Sequence, residues 1–280
     1  MGHLSKARWF SPVRKCYNAI CRARLARSKV DVDIAAAVAE ASASPAKPRV
    51  LILGIYLANR PNTAGHLVRR FSESRRYAVD QAWVALNGTT PDEALAAATV
   101  ERMDGFVPKF VILNRLLGSR DWASYDYLVF VDDDIVVASG FLDAFLDLQA
   151  CFDLALAQPA RTRNSHADRK FCRQHKGIRG RRTRFVEIGP VFSVRRDFAP
   201  AILPFDETSG MGWGYDFVWP VLAERAGLGI GIIDATPVDH SLRDQATAYS
   251  SRDASLAMQA YLDRHEHLTK QQAFVELETY

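Results

Sequence analysis

Apolar positions fall along this chain in short unbroken runs separated by segments of helical period. The runs RVLILGIYL from Arg49 to Leu57, YAVDQAWVAL from Tyr77 to Leu86 and YLVFV from Tyr127 to Val131 are the length and composition of buried parallel strands. Between the first two, Ala64 to Ser74 has helical character. Val107 to Leu117 predicts a second helix, with Pro108 tolerated in its first turn. A β-α-β-α-β order of this kind predicts an α/β sheet that receives ligands at the carboxyl ends of its strands. Further on, the pattern predicts a helix over Phe141 to Gln149, strands over Phe152 to Ala157, Phe185 to Val194 and Gly229 to Asp234, and a closing helical segment over 251–279.

Composition sharpens this picture without changing it. With 280 residues, 48% of them hydrophobic, the chain can bury a full core. Residues 1–47 are basic, then Ala-rich, and close on SASPAKP, a string that cannot continue a helix. They are expected to form a helical N-terminal extension and linker, leaving 48–280 as a single α/β domain. The formal charge of +4 conceals an asymmetry: residues 1–29 hold eight Lys/Arg and no acid, and residues 161–184 hold ten and one acid. Two basic surfaces on an otherwise acidic body point to phosphate-bearing ligands or an anionic membrane face. The extension therefore reads either as an amphipathic helix packed on the body or as a peripheral membrane contact. Nucleic-acid binding is not expected, because the basic residues lack interleaved aromatics and match no known module. No apolar run is long enough to cross a membrane, no signal-peptide core follows the N-terminal cations, and the MGHLSK start lacks the Ser or Thr of a myristoylation site. The four cysteines have no metal-ligand or C-x-x-C spacing and read as reduced thiols of a cytoplasmic protein.

The third strand ends abruptly in Asp132, Asp133 and Asp134. Three adjacent carboxylates repel one another and invite a hard cation, Mg²⁺ or Mn²⁺. In extended backbone Asp132 and Asp134 point to one side and Asp133 to the other, so the first and third form the natural metal-facing pair, although Asp133 with a partner elsewhere is a second phase. A solvated turn or helix cap is the bland alternative. P-loop and dinucleotide fingerprints are absent, which removes two common nucleotide-binding classes; a metal-dependent phosphohydrolase or nucleotidyltransferase using the same aspartates survives. The segment Gly212-Trp213-Gly214-Tyr215-Asp216 sets an acid behind a flexible aromatic turn, suited to a base facing a sugar ring stacked on Trp213, or simply to a helix whose N-cap is Asp216. His240, in a loop just past the last strand, could complete the coordination begun by the aspartates.

In their order along the chain, PKFVILNR from Pro108, YDYLVFVDDD from Tyr125, AQPA from Ala157, FVEIGPVFS from Phe185, GWGYD from Gly212 and IDATPVDH from Ile233 resemble the nucleotide-diphospho-sugar transferases of the GT-A fold. More closely, they resemble an uncharacterised plant and bacterial family, a domain of unknown function with a glycosyltransferase-like core. The resemblance spans about Arg49 to Arg243 and implies a GT-A-like Rossmann-type mixed sheet flanked by helices. It implies a metal-dependent transfer of a sugar from a nucleotide-diphosphate donor to a hydroxyl acceptor such as a saccharide. Under it, Asp132 and Asp134 are the Asp-x-Asp carboxylates that hold Mn²⁺ or Mg²⁺, and His240 is a further metal ligand. Asp216, and after it Glu187, is the acceptor-side base, with Glu187 and Gly189 lining the acceptor pocket. Lys109, Asn114, Asp132, Asp133 and Trp213 are donor contacts, although a surface Lys and a helix-interior Asn explain the first two equally well. The basic stretch 161–184 then reads as a lid over the diphosphate or as a solvated loop.

Overall fold

The computed structural model describes residues 46–166, 169–243 and 250–280. The expected N-terminal extension, with Cys16 and Cys21, lies almost wholly outside the described residues. No helix among those described is long and apolar enough to cross a membrane.

Among the described residues nine strands form one sheet: β1 (Arg49–Leu57), β2 (Ala78–Leu86), β3 (Thr99–Met103), β4 (Tyr127–Asp132), β5 (Leu154–Arg161), β6 (Arg181–Thr183), β7 (Val191–Arg195), β8 (Gly229–Val238) and β9 (Glu276–Thr279). Their spatial order is β3-β2-β1-β4-β7-β5-β8-β6-β9. β1 pairs in parallel with β2 and β4, and β2 with β3. β7 runs antiparallel to both β4 and β5, and β8 runs parallel to β5, so β4, β5 and β8 share one direction and end on one edge. The N-terminal approach to β7 reaches that same edge.

Side chains alternate across the strands and supply two cores. Leu51 and Leu53 of β1 join Phe110, Phe130, Phe192, Tyr215 and Trp219 on one face. Val50, Ile52 and Tyr56 join Leu67, Phe71, Trp83 and Phe145 on the other. Helices α1 (Ala64–Ser72) and α4 (Phe141–Cys151) cover the second face, while α3 (Lys109–Gly118) and α6 (Tyr215–Arg225) cover the first. The short α2 (Glu93–Ala98), α5 (Ala199–Ile202) and α8 (Lys270–Ala273), and the longer α7 (Ser251–Leu262), complete the set. Gly54 is required at the centre of β1, because a Cβ there would run into the indole of Trp83, its register partner on β2.

Three expectations are corrected. The run Phe185 to Val194 is not one strand: only Val191–Arg195 pairs in the sheet, and residues 185–190 leave the ladder. Residues 251–279 are not one helical segment; α7 stops at Leu262, and Glu276–Thr279 pairs antiparallel with β6 as an exposed edge strand. Among its described residues, the basic stretch 161–184 is not solvated throughout. Arg161 ends β5 and is buried, and Arg181 of β6 is fully buried, 3.0 Å from Asp234 and 2.7 Å from Glu276. Its guanidinium also donates to the carbonyls of Phe171 and Arg173, so the segment is bolted to the body by paired charge.

Candidate active site

Because β1, β2, β4, β5 and β8 finish on one edge, their last residues surround a common cleft of about 740 Å³, within the range of sites that enclose small ligands. Asp132, Asp133, Asp134, Lys109, Glu187, Trp213, Asp216 and His240 all line it. Asn114 is not brought to it. Its side chain donates to the Phe205 carbonyl and to Glu207 and accepts the Phe205 N–H, fastening α3 to the following loops.

The three aspartates divide their work. Asp132 lies 2.7 Å from the Lys109 ammonium. Lys109 is the first residue of α3, with no acid in that turn, a position where a cation opposes the helix dipole; its value there is to the cleft, where it adds to the positive end of the helix. Asp133 is almost buried. Its carboxylate accepts the Leu57 N–H at 2.7 Å and pairs with Arg243, so it ties the end of β1 to the end of β4. Burial pushes the Asp133 carboxyl up to about 6 against the opposing pull of Arg243 and the Leu57 N–H. Asp134 stands 3.3 Å from His240 Nε2 and 3.1 Å from Arg243. Burial alone would raise its carboxyl, but His240 and Arg243 outweigh that and hold it down at about 2.

His240 is fixed from several directions. Its N–H donates to Ser165 Oγ at 2.8 Å, its carbonyl accepts the His166 N–H, and the neighbouring Asp239 exchanges backbone bonds with Val136. These bridges join the loop after β8 to the segment after β4, which is why two residues so distant in sequence meet.

On the opposite wall, Glu187 forms a 2.7 Å ion pair with the buried Arg161, whose guanidinium also donates to the Gly189 carbonyl. Asp216 sits in the first turn of α6 behind the Gly214 N-cap, whose φ is 98°, so the N-cap is Gly214 and not Asp216. Asp216 lines the cleft, and burial, with the Glu187 charge adding to it, pushes its carboxyl up to about 7. Arg161 and Arg243 were not singled out from the sequence. Arg161 had one available signal, its place a few residues past the apolar run Phe152 to Ala157.

Among the described residues no three His, Cys, Asp or Glu side chains stand grouped as a ready metal site. Asp134 and His240 do stand together, while Asp132 faces Lys109. Asp134 Oδ1 meets His240 Nε2 only as a 3.3 Å ion pair without hydrogen-bond geometry, and His240 Nδ1 is buried without a hydrogen-bond partner, a demand that native interiors seldom leave open. Two carboxylates and an imidazole suit Mn²⁺ or Mg²⁺. In this structure Lys109 and Arg243 supply the balancing positive charge.

GalNAc-T7, in a crystal structure with UDP, GalNAc and Mn²⁺, superposes with a TM-score of 0.50 at 13% identity, covering 77% of this chain and 47% of that one. TarS of S. aureus (residues 1-349), in complex with UDP-GlcNAc, gives 0.52 at 12% identity, covering 80% and 68%. The fold is that of the GT-A glycosyltransferases. This chain thus spans about half the length of GalNAc-T7. No protein-family model matches the sequence, and no curated protein matches it, so the closer resemblance to the plant and bacterial family rests on the motifs alone. The GT-A frame puts β1, β2 and β4 side by side, and the cleft opens at their carboxyl ends, where an open α/β sheet takes its ligands.

Proposed function

We propose that this protein is a metal-dependent glycosyltransferase that moves a sugar from a nucleotide-diphosphate donor to a hydroxyl acceptor. One observation carries the reading: on a GT-A sheet, the acidic end of β4, His240 and Lys109 share a single cleft with Asp216 and Trp213. Charge for a diphosphate and a base for an acceptor therefore border one space.

Asp132, Asp134 and His240 would hold Mn²⁺ or Mg²⁺, and the bound ion would supply Lewis-acid neutralisation of the departing diphosphate. Lys109, at the head of α3, adds an ammonium for the same negative charge. Asp133, committed to Leu57 and Arg243, keeps the acidic corner in shape rather than contacting the donor. Trp213 offers a stacking face to a sugar ring. As the acceptor oxygen bonds to the anomeric carbon and the carbon–oxygen bond to the diphosphate breaks, the acceptor proton passes to Asp216. A carboxylate with affinity for a proton near neutral pH suits that task. Glu187 is the poorer base, because Arg161 already satisfies its charge.

The test is a melting-temperature panel of nucleoside diphosphates and nucleotide sugars with and without Mn²⁺, followed by an assay for released nucleoside diphosphate. Stabilisation needing both metal and diphosphate, with diphosphate release on adding acceptor, supports the reading. Release of monophosphate or inorganic phosphate instead would favour a phosphohydrolase.

A further inference from the structure

Lys109 and Asp132 both line the cleft, and each is fixed at its backbone. Lys109 is the first residue of α3, with Pro108 as the N-cap before it. The next N–H, of Phe110, donates to the Gly210 carbonyl at 2.8 Å, and a Cβ on Gly210 would strike Pro108. The four-carbon stem alone decides where the ammonium goes. Its hydrogen-bond and ionic partners among the described residues are Asp132 Oδ1 at 2.7 Å and, at the limit of a hydrogen bond, the Ile188 carbonyl at 3.4 Å. Asp132 ends β4, and its N–H donates to the Pro190 carbonyl at 2.7 Å. Gly189 keeps space beside the pair: a Cβ there would come within 3.3 Å of Asp132 Oδ2 and 3.6 Å of Lys109 Nζ.

The acidic corner sets three carboxylates against Lys109 and Arg243, and these two cations are held very differently. Arg243 touches both oxygens of Asp133, Asp134 Oδ2 and the Pro61 carbonyl. It can keep its place beside a bound metal, because Asp134 offers its other oxygen, Oδ1, on the side of His240. Asp132 has no such arrangement. Among the described residues it does not stand grouped with Asp134 and His240, so to join them its carboxylate must turn from Lys109. An ammonium and a divalent ion beside one carboxylate also repel each other. Lys109, with a single ionic anchor, is the cation that gives way.

From this geometry we infer that Asp132 is shared by turns between Lys109 and the divalent cation, so that loading the metal releases the Lys109 ammonium to the donor diphosphate. The inference rests on the transferase reading and adds an order to it. Lys109 is first the counter-ion of the acidic corner and afterwards a diphosphate contact. Metal loading breaks an ion pair, and the diphosphate offsets that loss by giving the ammonium a new partner. Each ligand therefore favours the binding of the other.

The experiment titrates Mn²⁺ alone, calorimetrically, into the full chain as wild type, Lys109→Met, Asp132→Asn and the double variant. Removing the competitor tightens Mn²⁺ binding in Lys109→Met by about tenfold, the equivalent of one charge-assisted hydrogen bond. In the Asp132→Asn background the same Lys109→Met change alters the affinity by less than about twofold, or leaves the same lack of binding, because the two residues no longer share a ligand. A lysine acting only through its charge at a distance would tighten both backgrounds alike, and that result overturns the exchange. Lys109→Met binding Mn²⁺ no more tightly than the wild type overturns it too. If neither the wild type nor any variant binds Mn²⁺, with or without a nucleoside diphosphate, the metal-dependent reading itself fails, a result distinct from an unchanged affinity.

Discussion

Arg161 and Glu187 meet at 2.7 Å in the wall of the cleft, with the arginine only 1% exposed. Removing one partner strands a buried charge, which costs about 3–5 kcal/mol, whereas removing both with apolar residues of similar size costs far less. Glu187→Gln is therefore expected to lower the melting temperature by about 10 °C, and Arg161→Met/Glu187→Leu is expected to recover a good part of that loss. Calorimetry of the two variants checks this. Equal losses in both would show that shape and not charge holds this wall.

The same Glu187 charge adds to burial in raising the Asp216 carboxyl to about 7, from an ordinary value of 3.8. A base must be deprotonated, so transfer should rise with pH through about 7 and then level. Asp216→Asn should lose about 10²–10⁴ in rate. Stability runs the other way. An acid whose proton affinity is higher folded than unfolded contributes stability that is full below pH 3.8 and is lost as pH climbs through about 7. Asp216→Asn removes that dependence, so the variant gains on the wild type between pH 4 and 8. Melting curves across that window, beside a pH–rate profile, test both halves; a variant whose margin over the wild type is the same at every pH would rule out the elevated carboxyl.

How far the sequence could be read depended on what each residue's neighbours contribute. β1, β2 and β4 were legible because strands covered on both faces need continuous apolar runs, and the triple aspartate was legible because it interrupts one. The later half was less so. Glu276–Thr279 carries no apolar period, and only its pairing with β6 makes it a strand, a tertiary effect that propensity does not encode. Residues 185–190 look like a strand but leave the ladder, Phe185 and Val186 for the core and residues 187–190 for the cleft, with Glu187 turned to Arg161. Arg161 and Arg181 read like their exposed basic neighbours; only the meeting with Glu187, Asp234 and Glu276 puts them inside. Asn114 misled in the opposite sense, its amide serving a loop and not a ligand.

The aspartates of β4 should separate by phenotype. Asp133→Ala removes the acceptor of the Leu57 N–H and the partner of Arg243, and is expected to cost about 3 kcal/mol or more, seen as a lower urea midpoint. Asp132→Ala, at a partly buried ion pair with Lys109, should cost less than that, about 1–2 kcal/mol. In return, Asp132→Ala should abolish the extra stabilisation that Mn²⁺ gives to nucleoside diphosphate binding. If Asp132→Ala retains the full Mn²⁺ response and Asp133→Ala loses it without unfolding, the metal-facing phase is the other one.

A last expectation tests the frame that holds the cleft. Gly54 lies mid-strand in β1, flanked in register by Trp83 of β2 and Val131 of β4, and a Cβ would enter the space filled by the Trp83 ring. The indole is fully buried and its Nε1 donates to Gln81 at 3.2 Å, so it has little room to move. Overpacking of this kind costs about 1–3 kcal/mol, which in a chain of this size lowers the melting temperature by several degrees, about 2–4 °C per kcal/mol. Because β1 ends at Leu57, whose N–H is held by Asp133, a shift of β1 should also reach the cleft. Gly54→Ala is therefore expected to weaken nucleoside diphosphate binding as well as stability. Gly54→Ala/Trp83→Phe, which shrinks the opposing ring, should restore part of both, and restoration of neither would show that the tight contact is not what fixes this residue.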